Sequence, residues 1–146
     1  MLIRVLAAAL AGAIVFFGLG FVIYGILLDP ILKNYVIQYP GLMKEPMPDL
    51  IFLFAWNFVM AFLLAFVFDK WAGIRSFAEG LKGGAIMLFL ITLMNNLSFL
   101  AFMNIMKGYT GAIIDIAAAT VLGAIAGGVI GLVLGAMNKG ATTASD

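Results

Sequence analysis

The 146-residue sequence contains no cysteine and no histidine. The first absence excludes disulfides, thiolate nucleophiles, iron–sulfur clusters and cysteine-ligated zinc. The second removes the most common general base, metal ligand and axial haem ligand. The apolar segments offer no nucleophile with a base partner and no set of metal ligands in their place. We therefore expect no enzyme activity, no metal and no cofactor.

Charge is also scarce. Only 10% of the residues are charged and 65% are hydrophobic, against roughly a quarter charged and half apolar in soluble domains. A chain this short exposes much of its surface even when folded, which excludes a soluble monomer of this composition. The net charge is +1 and the basic residues are spread along the chain, so no basic stripe is available for nucleic acid. The composition predicts an integral membrane protein whose main partner is the lipid bilayer.

Four apolar segments have about the ~20 residues that a membrane-spanning helix requires. They cover residues 5–28, 50–68, 83–106 and 111–137. The first is expected to end before Asp29-Pro30, because proline disfavours helical geometry in the preceding residue. Asp49 is suited to cap the second segment, and Ser76 with Glu79 forms a capping box that allows the third to begin one or two turns earlier.

These segments predict an all-α fold, an integral membrane bundle of four transmembrane helices over residues 1–140, with a short polar tail at 141–146. Five basic residues fall on the side of the N-terminus and three on the other. The positive-inside rule then places both termini in the cytoplasm, and we expect a bacterial inner membrane. The 29–49 connection would lie outside, and we expect it to contain a short interfacial helix.

The fourth segment carries glycines at strict four-residue spacing, namely Gly123, Gly127, Gly131 and Gly135. Small residues at this spacing let two helix backbones approach closely in lipid. The first segment has a less regular row of small residues, Ala7, Ala11 and Gly18, against which the fourth helix could pack. The glycine row predicts either packing inside one bundle or a contact between copies in a homo-oligomer.

Polar residues occur at similar depth in all four predicted spans. Asp115 is the only acid well inside one of them, about 7 Å from the end of the fourth helix by the helical rise. The other members of the predicted cluster are Asn57, Asn95, Asn96, Thr92 and Tyr24. An ionisable residue in a membrane is a functional hypothesis by default, and Asp115 could exchange a proton. The alternative is that these groups form interhelical hydrogen bonds that hold the bundle together.

Several short sequence segments resemble those of a family of uncharacterised four-span bacterial membrane proteins, classed as a domain of unknown function. The similar residues are the Gly20–Tyr24 end of the first segment, Lys82-Gly83-Gly84 before the third, and the Gly-Ala-Ile repeats of the fourth. The resemblance implies four spans and no established activity, so it assigns no functional residue.

Three functions remain open from the sequence. The first is a structural or accessory subunit that packs against itself, or within a larger membrane complex, through small-residue grooves. The second is an oligomeric transporter or channel for a small solute or proton, which would use Asp115 and the buried asparagines. The third is a binder of a lipid or hydrophobic pigment, indicated by 13 phenylalanines and nine methionines. We prefer the first because the strongest motif is a packing motif.

Overall fold

The computed structural model describes the backbone of residues 2–143 and the side chains of residues 2–138. It contains four long helices, which are α1 (Leu2–Leu32), α2 (Leu50–Ala72), α3 (Phe77–Phe102) and α4 (Thr110–Thr143). All four are long and apolar enough to cross a membrane. The predicted all-α bundle of four membrane-spanning helices is thus confirmed. Helix α4 includes 141–143 of the predicted tail, and the rest of that tail lies outside the described residues.

Helix α1 extends beyond its predicted end at Leu28. Its α-helical part, Leu2–Gly20, leads into a π-helical segment, Phe21–Leu28, and then into one further α-helical turn, Asp29–Leu32. Pro30 lies within the first two positions of that turn, where a missing N–H is tolerated. The predicted stop before Pro30 is therefore wrong. The expected interfacial helix reduces to this turn, because the chain is irregular from there to Leu50.

Helix α3 begins at Phe77, six residues before the apolar segment at 83, because Ser76 and Glu79 form the predicted capping box. The Ser76 hydroxyl accepts a hydrogen bond from the Glu79 backbone N–H at 3.3 Å. The Glu79 carboxylate in turn accepts from the Arg75 backbone N–H at 3.2 Å. Likewise, Asp49 caps α2 by accepting from the second and third backbone N–H groups that follow it.

Helix α3 ends at Phe102 rather than Met106, because the loop after it is extended and pairs with the loop after α1. The Ile37 N–H donates to the Ile105 carbonyl, and the Lys107 N–H donates to the Tyr35 carbonyl, both at 2.8 Å. This antiparallel bridge joins the two loops at one end of the bundle.

The helices pack in the order α2–α1–α4–α3, with the most extensive contact between α3 and α4. Helix α1 contacts both α2 and α4, and α2 touches α4 only lightly. Small side chains such as Ala8, Ala61 and Ala126 line the core around Leu64 and Ile130. Large apolar side chains cover the outside of every helix, as expected of a surface that faces lipid.

The glycines of α4 lie against α3 of the same chain. A Cβ on Gly127 would lie 2.7 Å from the Gly84 Cα, and a Cβ on Gly84 would meet the carbonyl oxygen of Gly123. Gly131 lies similarly against Gly80. Backbone therefore meets backbone along this contact, as small residues allow in membrane helices. In this bundle the row serves the packing of α3 on α4.

Helix α1 uses a different face from the predicted row. Its buried residues are Val5, Ala8, Ala9, Gly12, Ala13 and Phe16. Ala7 and Ala11 are only half-buried, and a Cβ on Gly18 would have nothing within 4 Å. One residue turns a helix by about 100°, so the predicted row lies beside the contact face rather than on it. The close approach to α4 occurs at Gly12, where a Cβ would lie 2.6 Å from the Ile130 Cδ1.

Candidate functional site

The Asp115 carboxylate lies between α1, α3 and α4, near the end of the bundle where the 33–49 and 103–109 loops meet. The Tyr24 hydroxyl of α1 donates a hydrogen bond to its Oδ1 at 2.8 Å. The Asn96 amide of α3 donates to its Oδ2 at 2.7 Å. Both oxygens of an acid at membrane depth are thus bonded by neutral groups from other helices. We call Asp115, Asn96, Tyr24 and Thr92 the polar cluster.

The glycine contact explains how Asn96 reaches Asp115. The buried residues of α3 lie at strict four-residue spacing, namely Gly80, Gly84, Leu88, Thr92 and Asn96. The glycine row of α4 continues at the same spacing through Ala119 to Asp115. Residues four apart share a helix face, so the polar cluster lies at the end of the seam where the two backbones touch. A side chain as short as that of asparagine can therefore bridge the helices.

Asn96 is 1% exposed, and its amide is only partly satisfied. The Nδ2 group also donates to the main-chain oxygen of Thr92 at 3.0 Å. Its Oδ1 is buried and has no hydrogen-bond partner among the described residues. Buried polar atoms are nearly always paired, so this oxygen is an unused acceptor inside the polar cluster. Thr92 is buried too, and takes part through its main-chain oxygen.

Tyr24 lies in the π-helical segment of α1. Such segments are rare and are frequently found at functional sites, because the wider turn redirects side chains. The Tyr24 hydroxyl lies 3.2 Å from the main-chain oxygen of Asp115, in addition to its bond with the carboxylate. One phenol therefore has two acceptors on the same residue within reach.

Two predicted members stand apart from the polar cluster. Asn57 of α2 is buried, but its amide donates to the Leu53 carbonyl of its own helix at 2.9 Å. Asn95 of α3 is exposed on the outside of the bundle. Consecutive helical residues point about 100° apart, so Asn95 cannot face α4 together with Asn96. Helix α2 thus contributes no hydrogen bond to Asp115 among the described side chains.

A second charged site, not predicted from the sequence, lies at the opposite end of the bundle. The Asp69 side chain is fully buried, with Arg4 Nε 2.8 Å and Arg75 Nη2 2.9 Å from its Oδ1. Arg4 also donates to the Asn138 side chain of α4 at 3.2 Å. This ion cluster links α1, α2, α4 and the loop before α3. The available signal was an acid directly after an apolar run, with basic residues on the same side of the membrane.

An open apolar groove runs beside the polar cluster on the outside of α3 and α4. It is lined by Phe89, Ile113, Ile116, Ala117 and Thr120. The only side-chain hydroxyl there, that of Thr120, donates to the Ile116 carbonyl of its own helix at 2.7 Å. The groove therefore offers apolar contact without a polar group to orient a ligand.

The polar cluster offers hydrogen-bond donors and acceptors and one carboxyl group. No group of three or more acidic side chains in the described part of the chain could hold a metal ion. Comparison with protein-family models, curated proteins and solved structures finds no match to this chain.

Proposed function

We propose that this protein is a structural membrane subunit that associates with a second copy of itself along α3. The observation that carries the proposal is the exposed amide of Asn95. It lies seven residues before the end of α3 at Phe102, which is about 10 Å into the span by the helical rise. An amide facing lipid has no hydrogen-bond partner, and that is costly. Its position favours contact with another helix that supplies donors and acceptors.

A second copy of the chain is the partner that suits this amide. In a two-fold dimer, a residue near the axis meets its own counterpart. An asparagine side chain both donates and accepts, so two Asn95 side chains can form a reciprocal pair of hydrogen bonds. Ser98 is also exposed, and at three residues' distance it shares the same face.

The position of α3 in the bundle also supports self-association. It stands at one edge of the order α2–α1–α4–α3, packed mainly against α4. It buries the smallest share of its most apolar segment among the four helices. Phe99 and Phe102 follow Asn95 by four and seven residues, so these exposed large apolar side chains lie on the same face of α3. This combination of apolar packing surface and one central amide is typical of associating membrane helices.

The proposed orientation places both termini in the cytoplasm of a bacterial cell. Four spans bring the two ends of the chain to the same side. The basic residues favour that side as the inner one, by five to three. Asn95 would then lie in the outer half of the inner membrane.

Disulfide cross-linking tests the proposed contact, because the natural chain has no cysteine. We expect Ser98→Cys to form a covalent dimer on oxidation in native membranes. Val59→Cys is the matched control, since Val59 is 65% exposed on α2, away from α3. Absence of dimer from Ser98→Cys, or equal cross-linking at both positions, would refute the α3 contact.

The amide itself is tested in liposomes by energy transfer between labelled copies. We expect Asn95→Leu to raise the dimer dissociation constant about fivefold, because an interhelical hydrogen bond in a membrane contributes about 1 kcal/mol. Met94→Leu changes an exposed neighbour without removing a polar group, and should leave the constant unchanged. An unchanged constant in Asn95→Leu would remove the main support for the proposal.

A further inference from the structure

We propose that Asp115 is a reversible binding site for one proton inside the membrane, with the Tyr24 hydroxyl as the switch that accommodates it. The geometry that carries this is the position of Tyr24 Oη. It lies 2.8 Å from the Asp115 Oδ1 and 3.2 Å from the main-chain oxygen of the same residue. The phenol can therefore exchange one acceptor for the other by rotating its O–H bond.

Both charge states satisfy the Asp115 carboxyl group and the Tyr24 hydroxyl. In the charged state the Tyr24 O–H donates to Oδ1 and the Asn96 amide donates to Oδ2. When a proton arrives, it forms an O–H bond on Oδ1, which then donates to the Tyr24 oxygen. The Tyr24 hydrogen turns to the main-chain oxygen of Asp115, and Asn96 continues to donate to Oδ2, now a carbonyl oxygen. One proton is taken up, the charge changes from −1 to zero, and no heavy atom has to move, because a hydroxyl can donate and accept at once.

Among the described residues, no cation forms an ion pair with Asp115. Helix α1 contributes the phenol of Tyr24, α3 contributes only the neutral Asn96 and Thr92, and α2 contributes no partner. The titratable and charged groups of the loops at this end are Tyr35, Tyr39, Lys44, Glu45, Asp49, Lys107, Tyr109 and the Asp29–Lys33 pair. None of these forms an ion pair with Asp115 among the described residues.

Asp69 provides the contrast within the same molecule. Its buried carboxylate contacts two guanidinium groups, which is the usual arrangement for an acid in or near a membrane. Asp115 has only neutral donors, and one of them can reverse its direction. The oxygen Oδ1 of Asn96, buried and unpaired in the described structure, adds another acceptor to the same site. The two acids are thus built for different purposes.

Access to the site is from one end of the bundle. Asp115 is half-buried and comes five residues after the start of α4, about 7.5 Å along the helix axis. The Asp69 cluster marks the far end of α4 near Asn138. Protons therefore reach Asp115 from the aqueous phase beside the 33–49 and 103–109 loops, so the site responds to the pH on that side of the membrane.

Infrared difference spectroscopy of the full-length protein in liposomes tests the site. Lowering the pH within about 4 to 9, the range that covers ordinary and raised carboxyl values, should produce the C=O band of a protonated carboxyl. The part of that band that comes from Asp115 should be missing in Asp115→Asn and present in Asp49→Asn, which alters a helix cap, so the wild-type spectrum minus the Asp115→Asn spectrum should retain a C=O band. Carbon-13 signals of labelled aspartate in the wild-type protein give the same information if the Asp115 variant does not fold. A carboxyl of Asp115 that stays in one state across this range overturns the proposal.

The switch is tested separately with Tyr24→Phe. Without the phenol oxygen the protonated carboxyl loses its acceptor, so we expect its C=O band at a higher frequency than in the wild type. Tyr39→Phe removes a hydroxyl that donates to the Asn104 carbonyl outside the cluster, and should leave the band in place. An unshifted band in a folded Tyr24→Phe protein contradicts the role of Tyr24. These outcomes do not depend on dimer formation, which involves Asn95 on a different face of α3.

Discussion

Arg4 and Asp69, 65 residues apart in the chain, form an ion pair of 2.8 Å that fastens the start of α1 to the end of α2. Arg75 reaches the same carboxylate from the loop before α3, and it also donates to the Ile74 carbonyl at 2.8 Å. Both arginines keep about a quarter of their side-chain surface exposed, whereas the acid is fully buried. The acid is thus the member whose loss cannot be compensated by water.

Replacing the acid should destabilise the bundle strongly. Asp69→Asn leaves two guanidinium groups without their counter-charge, and loss of one partner from a buried pair costs about 3 kcal/mol. We expect a corresponding decrease in the free energy of unfolding, measured by denaturant titration in mixed micelles. Asp29→Asn is the matched control, because the Asp29–Lys33 pair is about half exposed and such pairs contribute about 0.5 kcal/mol. Equal losses in the two variants would contradict the structural role of Asp69.

The glycine contact predicts opposite results for two alanine substitutions. In Gly84→Ala the new Cβ meets the backbone of Gly123 and lies 2.8 Å from the Gly127 Cα. Backbone cannot move aside as a side chain can, so we expect a loss of about 2–3 kcal/mol, in the range for overpacking. In Gly18→Ala the Cβ enters open space, and we expect unchanged or slightly higher stability because alanine favours helix. Thermal unfolding followed by circular dichroism distinguishes the two.

The two buried asparagines should differ in their effect on stability. Asn96→Leu removes a donor from the Asp115 carboxylate, and an unsatisfied buried acceptor costs about 1–3 kcal/mol. Asn57→Leu removes only a bond to the Leu53 carbonyl of its own helix, which keeps its backbone partner. We therefore expect the larger loss in Asn96→Leu.

A double-mutant cycle tests whether this difference comes from Asp115. Combining Asn96→Leu with Asp115→Asn should give a coupling of about 1 kcal/mol. The same cycle with Asn57→Leu should give none, since Asn57 makes no hydrogen bond to Asp115 in the described structure. A coupling of equal size in both cycles would show that the effects are indirect.

The sequence predicts the spans well because each span depends on local composition. Asp49 and Ser76 act as caps through neighbours two or three residues away, so their roles can be inferred without the fold. The end of α3 could not be inferred in this way. It depends on pairing between the 33–49 and 103–109 loops, which are far apart in the chain.

The candidate site was predictable only in part, for the same reason. The depth of Asp115 and Asn96 follows from the helical rise, and the structure brings the two side chains together. Whether Asn95 or Asn96 faces Asp115 depends on the rotation of α3 about its axis. The four-residue row from Gly80 to Asn96 was the available signal for that rotation. To predict the contact of Asp69 with Arg4, one must know which helix ends meet. The composition does not contain that information.

Membrane orientation gives the last prediction. Met43 in the 33–49 loop is 73% exposed, and Trp71 near the end of α2 is 77% exposed. The basic residues favour the side of Trp71 as the cytoplasmic one. In intact bacterial spheroplasts we expect Met43→Cys to react with a membrane-impermeant maleimide, and Trp71→Cys to react only after the membrane is permeabilised. The reverse labelling would invert the orientation and place the Asp115 site toward the cytoplasm. Labelling of both positions from outside would contradict the second helix as a span, because the two residues lie at its opposite ends.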